Sequence, residues 1–356
     1  MTPGDTVNII REQLSASVGW TIETVEPLHS SSRSYSRHLT CRVRLTDGTE
    51  HVVFVKFVSG VSKDKARLEE LVAGDNAVSC HLYEAFRSSH GFSVPRPLAY
   101  SRDHLMLISE HVDGTRLQDK IIRTARLFAR SDAIAELEAD CFRSGRWLQK
   151  FQQETRTFAL ARKTPGRDDL LDAPAIVRLI VERVDRLRSS RVLNHAEAHR
   201  LVAFAETAAR LVKPDESMIS GIHADFFPGN VIVDGETVIG IDFVMFRRGS
   251  IHFDPTYFIF QLETLAAQVM FRRAVIERLE QAFLNGYNPE LRMAWFWKAN
   301  PLVELLFLMH ATGRLISLAA SAPRGLARRM LADHSMRALR RRLAEHVQDT
   351  KPRARR

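Results

Sequence analysis

The stretch SMISGIHADFFPGNVIVDGETVIGIDFVMF, residues 217–246, constrains this chain more than any other. It sets His223, Asp225, Asn230 and Asp242 among short apolar runs of strand character, with Asp234-Gly235 in the turn of a hairpin. The segments on either side follow a helical period. The fold must therefore carry one compact, polar-bearing β unit inside a mainly helical region.

The N-terminal part reads differently. After a short first helix, residues 20–58 read as strands: TIETVEPL, a Ser-rich turn HSSSRSYS, then HLTCRVRL, a turn TDGT, and HVVFVKFV with apolar alternation around Lys56. A helix is expected over Asp75–Ser89, with Val78, Leu82, Ala85 and Phe86 on one face and Gly91 where it stops. VPRPLAYS and HLMLISEHV add two strands before the break at Asp113-Gly114. From about residue 114 to 213 the pattern is helical, as in AIVRLIVERVDRLRSS and AEAHRLVAFAETAARLV, and helices resume after the β unit. The expected division is a lobe over 1–110, a larger lobe over 111–350 and a basic tail over 351–356.

Composition removes several classes. In 356 residues, 45% apolar and 26% charged content excludes disorder, collagen and coiled coil. Pro301–Ala320 is long enough to cross a bilayer, but it carries Glu304, His310 and Arg314 and reads as a buried helix. The opening MTPGDTVNIIREQ has Asp5, Arg11 and Glu12 where a secretory leader needs a basic end and an apolar run. Cys41, Cys80 and Cys141 are far apart and form no CxxC, which points to reduced thiols in a cytoplasm.

The net charge of +9 is concentrated in residues 270–356, which hold 17 Lys or Arg against 7 Asp or Glu. Such a region suits an anionic substrate, a lipid headgroup with peripheral membrane contact, or nucleic acid; it equally suits a solvated face. RALRRRLAEH lacks the interleaved aromatics of a nucleic-acid module, so no specific nucleic acid is expected. His195 and His199 stand one helical turn apart without a third ligand and read as a solvated face.

HADFFPGN has the form H-x-D-x-x-x-x-N, and Asp242 follows Asn230 by twelve residues. Phosphoryl transfer needs a carboxylate to orient the attacking hydroxyl and take its proton, and separate oxygen ligands for Mg²⁺. Asp225 suits the first role; Asn230 and Asp242, brought together by the hairpin, suit the second. The same residue types also make ordinary turn hydrogen bonds, but IDF at the right distance and Asp254 twelve residues later weigh against that reading.

At these motifs the sequence resembles the aminoglycoside phosphotransferase and choline kinase family, small-molecule phosphotransferases of the protein-kinase-like fold. The resemblance covers most of the chain and is strongest over Gly221–Phe258. It implies a two-lobed α+β fold: a small antiparallel β lobe followed by a larger, mainly helical lobe. It further implies ATP, or GTP, with Mg²⁺, and transfer of the γ-phosphoryl group to a hydroxyl of a small molecule. Lys56 in FVKF then looks like the strand lysine that pairs the nucleotide phosphates, and ISEHVDGTRL resembles the hinge, with Glu110 and Val112 offering backbone groups to the base. His223 organises the catalytic loop around Asp225.

The sequence departs from the family in places. A polar turn with Ser31, Ser32, Arg33 and Ser34 stands where a Gly-bearing turn usually covers the phosphates. Ala224 and Val244 replace glycines. The acidic partner of Lys56 is open: Glu84 lies on the expected helix, with His81, Glu69 and Glu70 as alternatives. The basic C-terminal region favours a neutral or anionic acceptor, such as a sugar or glycan-type molecule, over a polycationic aminoglycoside. A pseudokinase-like regulator is the rival from another class.

Overall fold

The computed structural model describes residues 3–33, 35–59, 64–126, 130–158, 160, 172–213, 215–268, 270–297, 300–321 and 326–348. The first elements are helix α1 (Pro3–Val18) and strands β1 (Ile22–Arg33), β2 (Ser36–Leu45) and β3 (Glu50–Val58). Helix α2 (Lys65–Phe86) follows, then β4 (Phe92–Ser93), β5 (Pro97–Ser101), β6 (Met106–Glu110) and β7 (Thr115–Arg116). Next come α3 (Leu117–Thr124), α4 (Ser131–Glu154), α5 (Ala173–Ser189) and α6 (His195–Leu211). The central β unit supplies β8 (Ile219–Ile222), β9 (Val231–Asp234), β10 (Thr237–Gly240) and β11 (Arg247–Ser250). The chain continues with α7 (Phe253–Ala266), α8 (Arg273–Tyr287), the single turn α9 (Met293–Phe296), α10 (Pro301–Ala320) and α11 (Leu326–Gln348).

Two compact units result. The first comprises Met1–Arg116, Phe158–Pro165 and Asn230–Arg247; the second comprises Leu117–Thr157, Gly166–Gly229 and Arg248–Arg356. The β9–β10 hairpin thus belongs with the N-terminal residues.

In the first unit an antiparallel sheet runs in the order β1-β2-β3-β6-β5. The alternation of EHVVFVKFV sends Val53, Val55 and Phe57 into a core with Ile10 and Leu14 of α1, Cys41, Val43, Met106 and Ile108. The neighbouring positions, Phe54 and Lys56, face the other way and line a cavity. A second sheet, β4-β10-β9-β7, holds the hairpin, whose register pairs Asp234 with Thr237 across Gly235 and Glu236. Gly114 sits against this hairpin at φ +118°, where an added Cβ would come within 2.7 Å of the Val233 carbonyl oxygen.

Two elements differ from the sequence expectation. β1 runs through Ser30, Ser31 and Ser32 to Arg33, paired with Leu39, His38, Arg37 and Ser36 of β2, so these serines are strand residues. Ser34 lies outside the described residues. Helix α2 begins ten residues before Asp75, capped by Asp64, whose carboxylate accepts the Ala66 N–H at 3.0 Å.

In the second unit α4 and α8 cross at two glycines. A Cβ on Gly145 would meet the Phe283 carbonyl oxygen at 2.1 Å, and one on Gly286 the Phe142 carbonyl oxygen at 1.9 Å. α10 packs against α5, α6, α7 and α11. It is long and apolar enough to cross a membrane by length and composition, yet Leu305, Leu306, Phe307, Leu308, Ala311 and Leu315 are buried inside the protein. At the start of α6, Asn194 and Glu197 form a reciprocal cap and Glu197 also binds Arg340, while His195 and His199 are exposed.

Candidate active site

The first unit contains a cation held by two acids. Lys56 Nζ lies 3.0 Å from Asp75 Oδ2 and 2.6 Å from Asp242 Oδ1. Asp75 falls on the buried stripe of α2 between Val72 and Val78, and its other oxygen accepts the backbone N–H of Phe243 at 3.2 Å. Burial disfavours the Lys56 ammonium, but Asp242 and then Asp75 outweigh it, so its pKa ends above the usual lysine value. Burial pushes the Asp75 carboxyl up, opposed by Lys56.

Asp242 adopts φ +72°, a left-handed conformation uncommon outside glycine, at the end of β10. The hairpin closes beneath it: Ile241 N–H donates to the Asn230 carbonyl at 3.1 Å. Asn230 is 3% exposed. Lys56, Asp75, Asn230 and Asp242 all line one cavity of about 340 Å³. His38 and Phe54, their rings 5.3 Å apart, form part of its wall. Asn230 and Asp242 offer side-chain oxygens, the donor type that a hard divalent cation prefers.

The cavity also has a strand-to-loop edge. Glu110 N–H donates to the Arg96 carbonyl and His111 N–H to the Val52 carbonyl, each at 2.9 Å. These bonds fix Glu110, His111 and Val112 as a wall of backbone beside an apolar slot that includes Leu107 and Ile108.

In the second unit the HADFF segment is pinned from below. Asp254, buried at the start of α7, accepts the N–H groups of His223 at 2.8 Å and of Ala224 at 2.9 Å. Ala224 has φ +63°, which explains why glycine suits this position and costs an L-residue about 1 kcal/mol. Phe226 is buried between Trp147, at 5.4 Å, and Phe258, at 5.6 Å between ring centroids. Burying that ring contributes about 2 kcal/mol and anchors the loop one residue after Asp225. His223 is likewise buried, 6.1 Å from Phe151 and 5.7 Å from Phe226.

Asp225 is partly exposed and lies close enough to act on the Tyr257 phenol. Burial and then Asp225 raise the Tyr257 phenol well above its usual pKa, and Arg314 pulls the other way. The Tyr257 ring also packs on His310, 4.8 Å away, one helical turn before Arg314 on α10.

Most of the residues expected from sequence stand in these two constellations, with exceptions. Glu84 is not the partner of Lys56: its carboxylate is 66% exposed and pairs with Arg87 on the surface of α2. Asp75 takes that place. Ser31 and Ser32 lie in the β1–β2 ladder and do not line the cavity. Tyr257 was not anticipated; nothing in the apolar run FDPTYFIF singles it out. Asp75 was detectable, as an acid in phase with the apolar stripe Leu68, Leu71, Val72, Val78 and Leu82.

The profile of the phosphotransferase enzyme family matches residues 42–296. No curated protein matches the sequence. Among solved structures, a thermostable mutant of an aminoglycoside phosphotransferase in ternary complex with AMP-PNP and hygromycin B is similar at 15% identity and TM-score 0.54, over 95% of this chain and 98% of that one. An amicoumacin kinase in complex with AMP-PNP and Ca²⁺ gives 13% identity and TM-score 0.53, over 93% and 89%. A choline/ethanolamine kinase family protein from Mesorhizobium loti gives 14% and 0.53, over 96% and 97%. These likenesses establish a kinase-like fold with an antiparallel first lobe and a mainly helical second. The family profile, in turn, spans the Lys56 strand, the His223–Asp242 block and well over half of the residues, and the chain belongs to the phosphotransferase enzyme family.

Proposed function

We propose that the protein transfers the γ-phosphoryl group of ATP, or of GTP, to a hydroxyl of a neutral or anionic small molecule of sugar or glycan type. Membership of the family supplies the coarser part, an ATP-dependent phosphotransferase with an alcohol acceptor. The observation that carries the nucleotide site is the Lys56–Asp75–Asp242 arrangement in the wall of a cavity also lined by Asn230, Glu110 and Val112.

In this reading Glu110 and Val112 hold the base by backbone groups, and Lys56 holds phosphate oxygens. Asn230 and Asp242 would hold Mg²⁺, which supplies charge neutralisation on the phosphates when bound. Asp225 orients the acceptor hydroxyl and takes its proton as the new O–P bond forms and the bond from the γ-phosphorus to the β-phosphate oxygen breaks, leaving ADP. Tyr257 and Asp254 keep Asp225 in place.

Acceptor charge is read from the second unit. Arg314 makes no ion pair among the described residues and lies close enough to act on Tyr257, beside Asp225. Of the other C-terminal arginines, Arg273, Arg341 and Arg342 are paired with Glu277, Glu345 and Glu263. Arg324 and the 351–356 tail lie outside the described residues, as do the side chains of Arg33 and Arg328. The solved neighbours bound to hygromycin B or named for amicoumacin act as comparators, and an unpaired guanidinium beside the base disfavours a polycation here. Three unpaired cysteines support a cytoplasmic setting.

The test is a screen of hydroxyl-bearing metabolites with ATP and Mg²⁺, read by a mass gain of one phosphoryl group. Phosphorylation of a sugar or sugar acid supports the reading. Efficient phosphorylation of kanamycin with no activity on sugars overturns its acceptor part, and absence of any phosphorylated product overturns the whole.

A further inference from the structure

A second cavity, of about 290 Å³, lies wholly in the second unit among α7, α8, α10 and α11. Its charged lining is four arginines and four glutamates, and three of each are matched: Arg273 with Glu277, Arg341 with Glu345 and Arg342 with Glu263. The remaining pair, Arg314 and Glu280, make no ion pair among the described residues. Glu280 is 3% exposed and its Oε1 has no hydrogen-bond partner among the described residues. A buried oxygen in that state is unfavourable unless something binds it. A ligand removes that cost.

Phe260 and Thr264 in the cavity wall continue the face of α7 that begins with Tyr257, the phenol on which Asp225 acts. Arg314 lines the cavity and also acts on Tyr257. A molecule whose reacting hydroxyl sits at Asp225 therefore extends past Arg314 toward Glu280.

We propose that this cavity receives the part of the acceptor remote from the phosphorylated hydroxyl and selects a polyhydroxylated acid, with Arg314 binding its anionic group and Glu280 donating a hydrogen bond to one of its oxygens. The proposal rests on the phosphotransfer reading for the placement of the reacting hydroxyl. Burial, followed by Glu263 and Glu277, holds the Glu280 carboxyl well above the usual carboxylate range, which favours its protonated, hydrogen-donating form. An ammonium group would instead need it ionised. Size agrees as well, since the volume suits a group of monosaccharide dimensions.

The experiment measures binding of glucuronate, glucose and glucosamine by calorimetry in the presence of AMP-PNP and Mg²⁺. Glucuronate is expected to bind more tightly than glucose by about tenfold, the worth of one charge-assisted contact, and glucosamine more weakly than either. Arg314→Ala should remove the preference for glucuronate over glucose. Glu280→Gln, which keeps a neutral donor, should bind glucuronate nearly as wild type does, whereas Glu280→Leu should weaken both sugars. AMP-PNP affinity, read in the first unit, reports whether each variant is folded. Preferential binding of glucosamine that Glu280→Gln abolishes overturns the proposal. So does binding of none of the three sugars, or sugar binding that neither Arg314→Ala nor Glu280→Leu alters. If glucuronate binds as expected yet no hydroxyl compound is ever phosphorylated, the pocket stands and the phosphotransfer reading falls; if another acceptor is phosphorylated at a rate indifferent to Arg314→Ala, the reverse holds.

Discussion

Asp75 and Lys56 meet at 3.0 Å, and the second oxygen of Asp75 takes the Phe243 N–H, so one carboxylate ties strand β3 to the backbone beside Asp242. A side chain one carbon shorter than glutamate brings α2 closer to both. Asp75→Ala leaves the Phe243 N–H without this acceptor and should cost about 1–3 kcal/mol in denaturant unfolding. Asp75→Glu should also lower AMP-PNP affinity, because the longer side chain must fit a position only 6% exposed. Wild-type affinity in the glutamate variant would show that the spacing is not set by this contact.

Asp225→Asn keeps the shape of the loop and removes the proposed proton acceptor. Turnover with any identified acceptor should fall by about 10²- to 10⁴-fold, with AMP-PNP affinity unchanged. A rate within a few-fold of wild type would rule Asp225 out as the base.

Asp242→Ala removes a proposed metal ligand and one of the two carboxylates on Lys56. Calorimetry should show that Mg²⁺ no longer tightens AMP-PNP binding. Persistence of the Mg²⁺ dependence would assign the metal elsewhere.

Gly286→Ala places a methyl group 1.9 Å from the Phe142 carbonyl oxygen, a backbone atom that can move only with helix α4. The expected loss of stability is about 3 kcal/mol, measured by urea denaturation. A loss under about 1 kcal/mol would mean that the helices separate easily.

Glu280 gives a pH signature. Its folded-state pKa is raised by burial, then by Glu263 and Glu277, with Arg273 and Arg342 opposing, above the unfolded value of about 4.3. Its contribution to stability is therefore complete below that pH and is lost as pH rises through the folded pKa. Glu280→Gln lacks this slope, so it should gain on wild type between pH 5 and pH 8 in urea midpoints taken without ligand. Parallel curves would contradict the burial of a neutral acid at this site.

What the sequence reveals follows from how local each signal is. HADFFPGN and IDF declare their chemistry because loop, hairpin and aspartate lie within twenty residues, and Lys56 stands out through strict alternation. The Lys56–Asp242 contact spans 186 positions, and its third member, Asp75, looks like a helix start because Gly74 precedes it. Extending the apolar stripe back to Leu68 would have put Asp75 mid-helix. The serines of β1 mislead for a different reason: serine favours turns on its own, but pairing with β2 overrides that preference. Tyr257 and Arg314 sit on apolar helices whose pattern speaks only of packing, so only the fold brings Arg314 and Asp225 to bear on the Tyr257 phenol.

Helix α10 carries a consequence for biosynthesis. Part of its cover, α11, is made after it, so a ribosome-bound chain displays a twenty-residue apolar segment before that cover exists. During that interval the segment meets the same criteria a membrane-insertion machinery or a holdase chaperone would apply. A chain cut before Leu326 would keep that segment without the cover of α11.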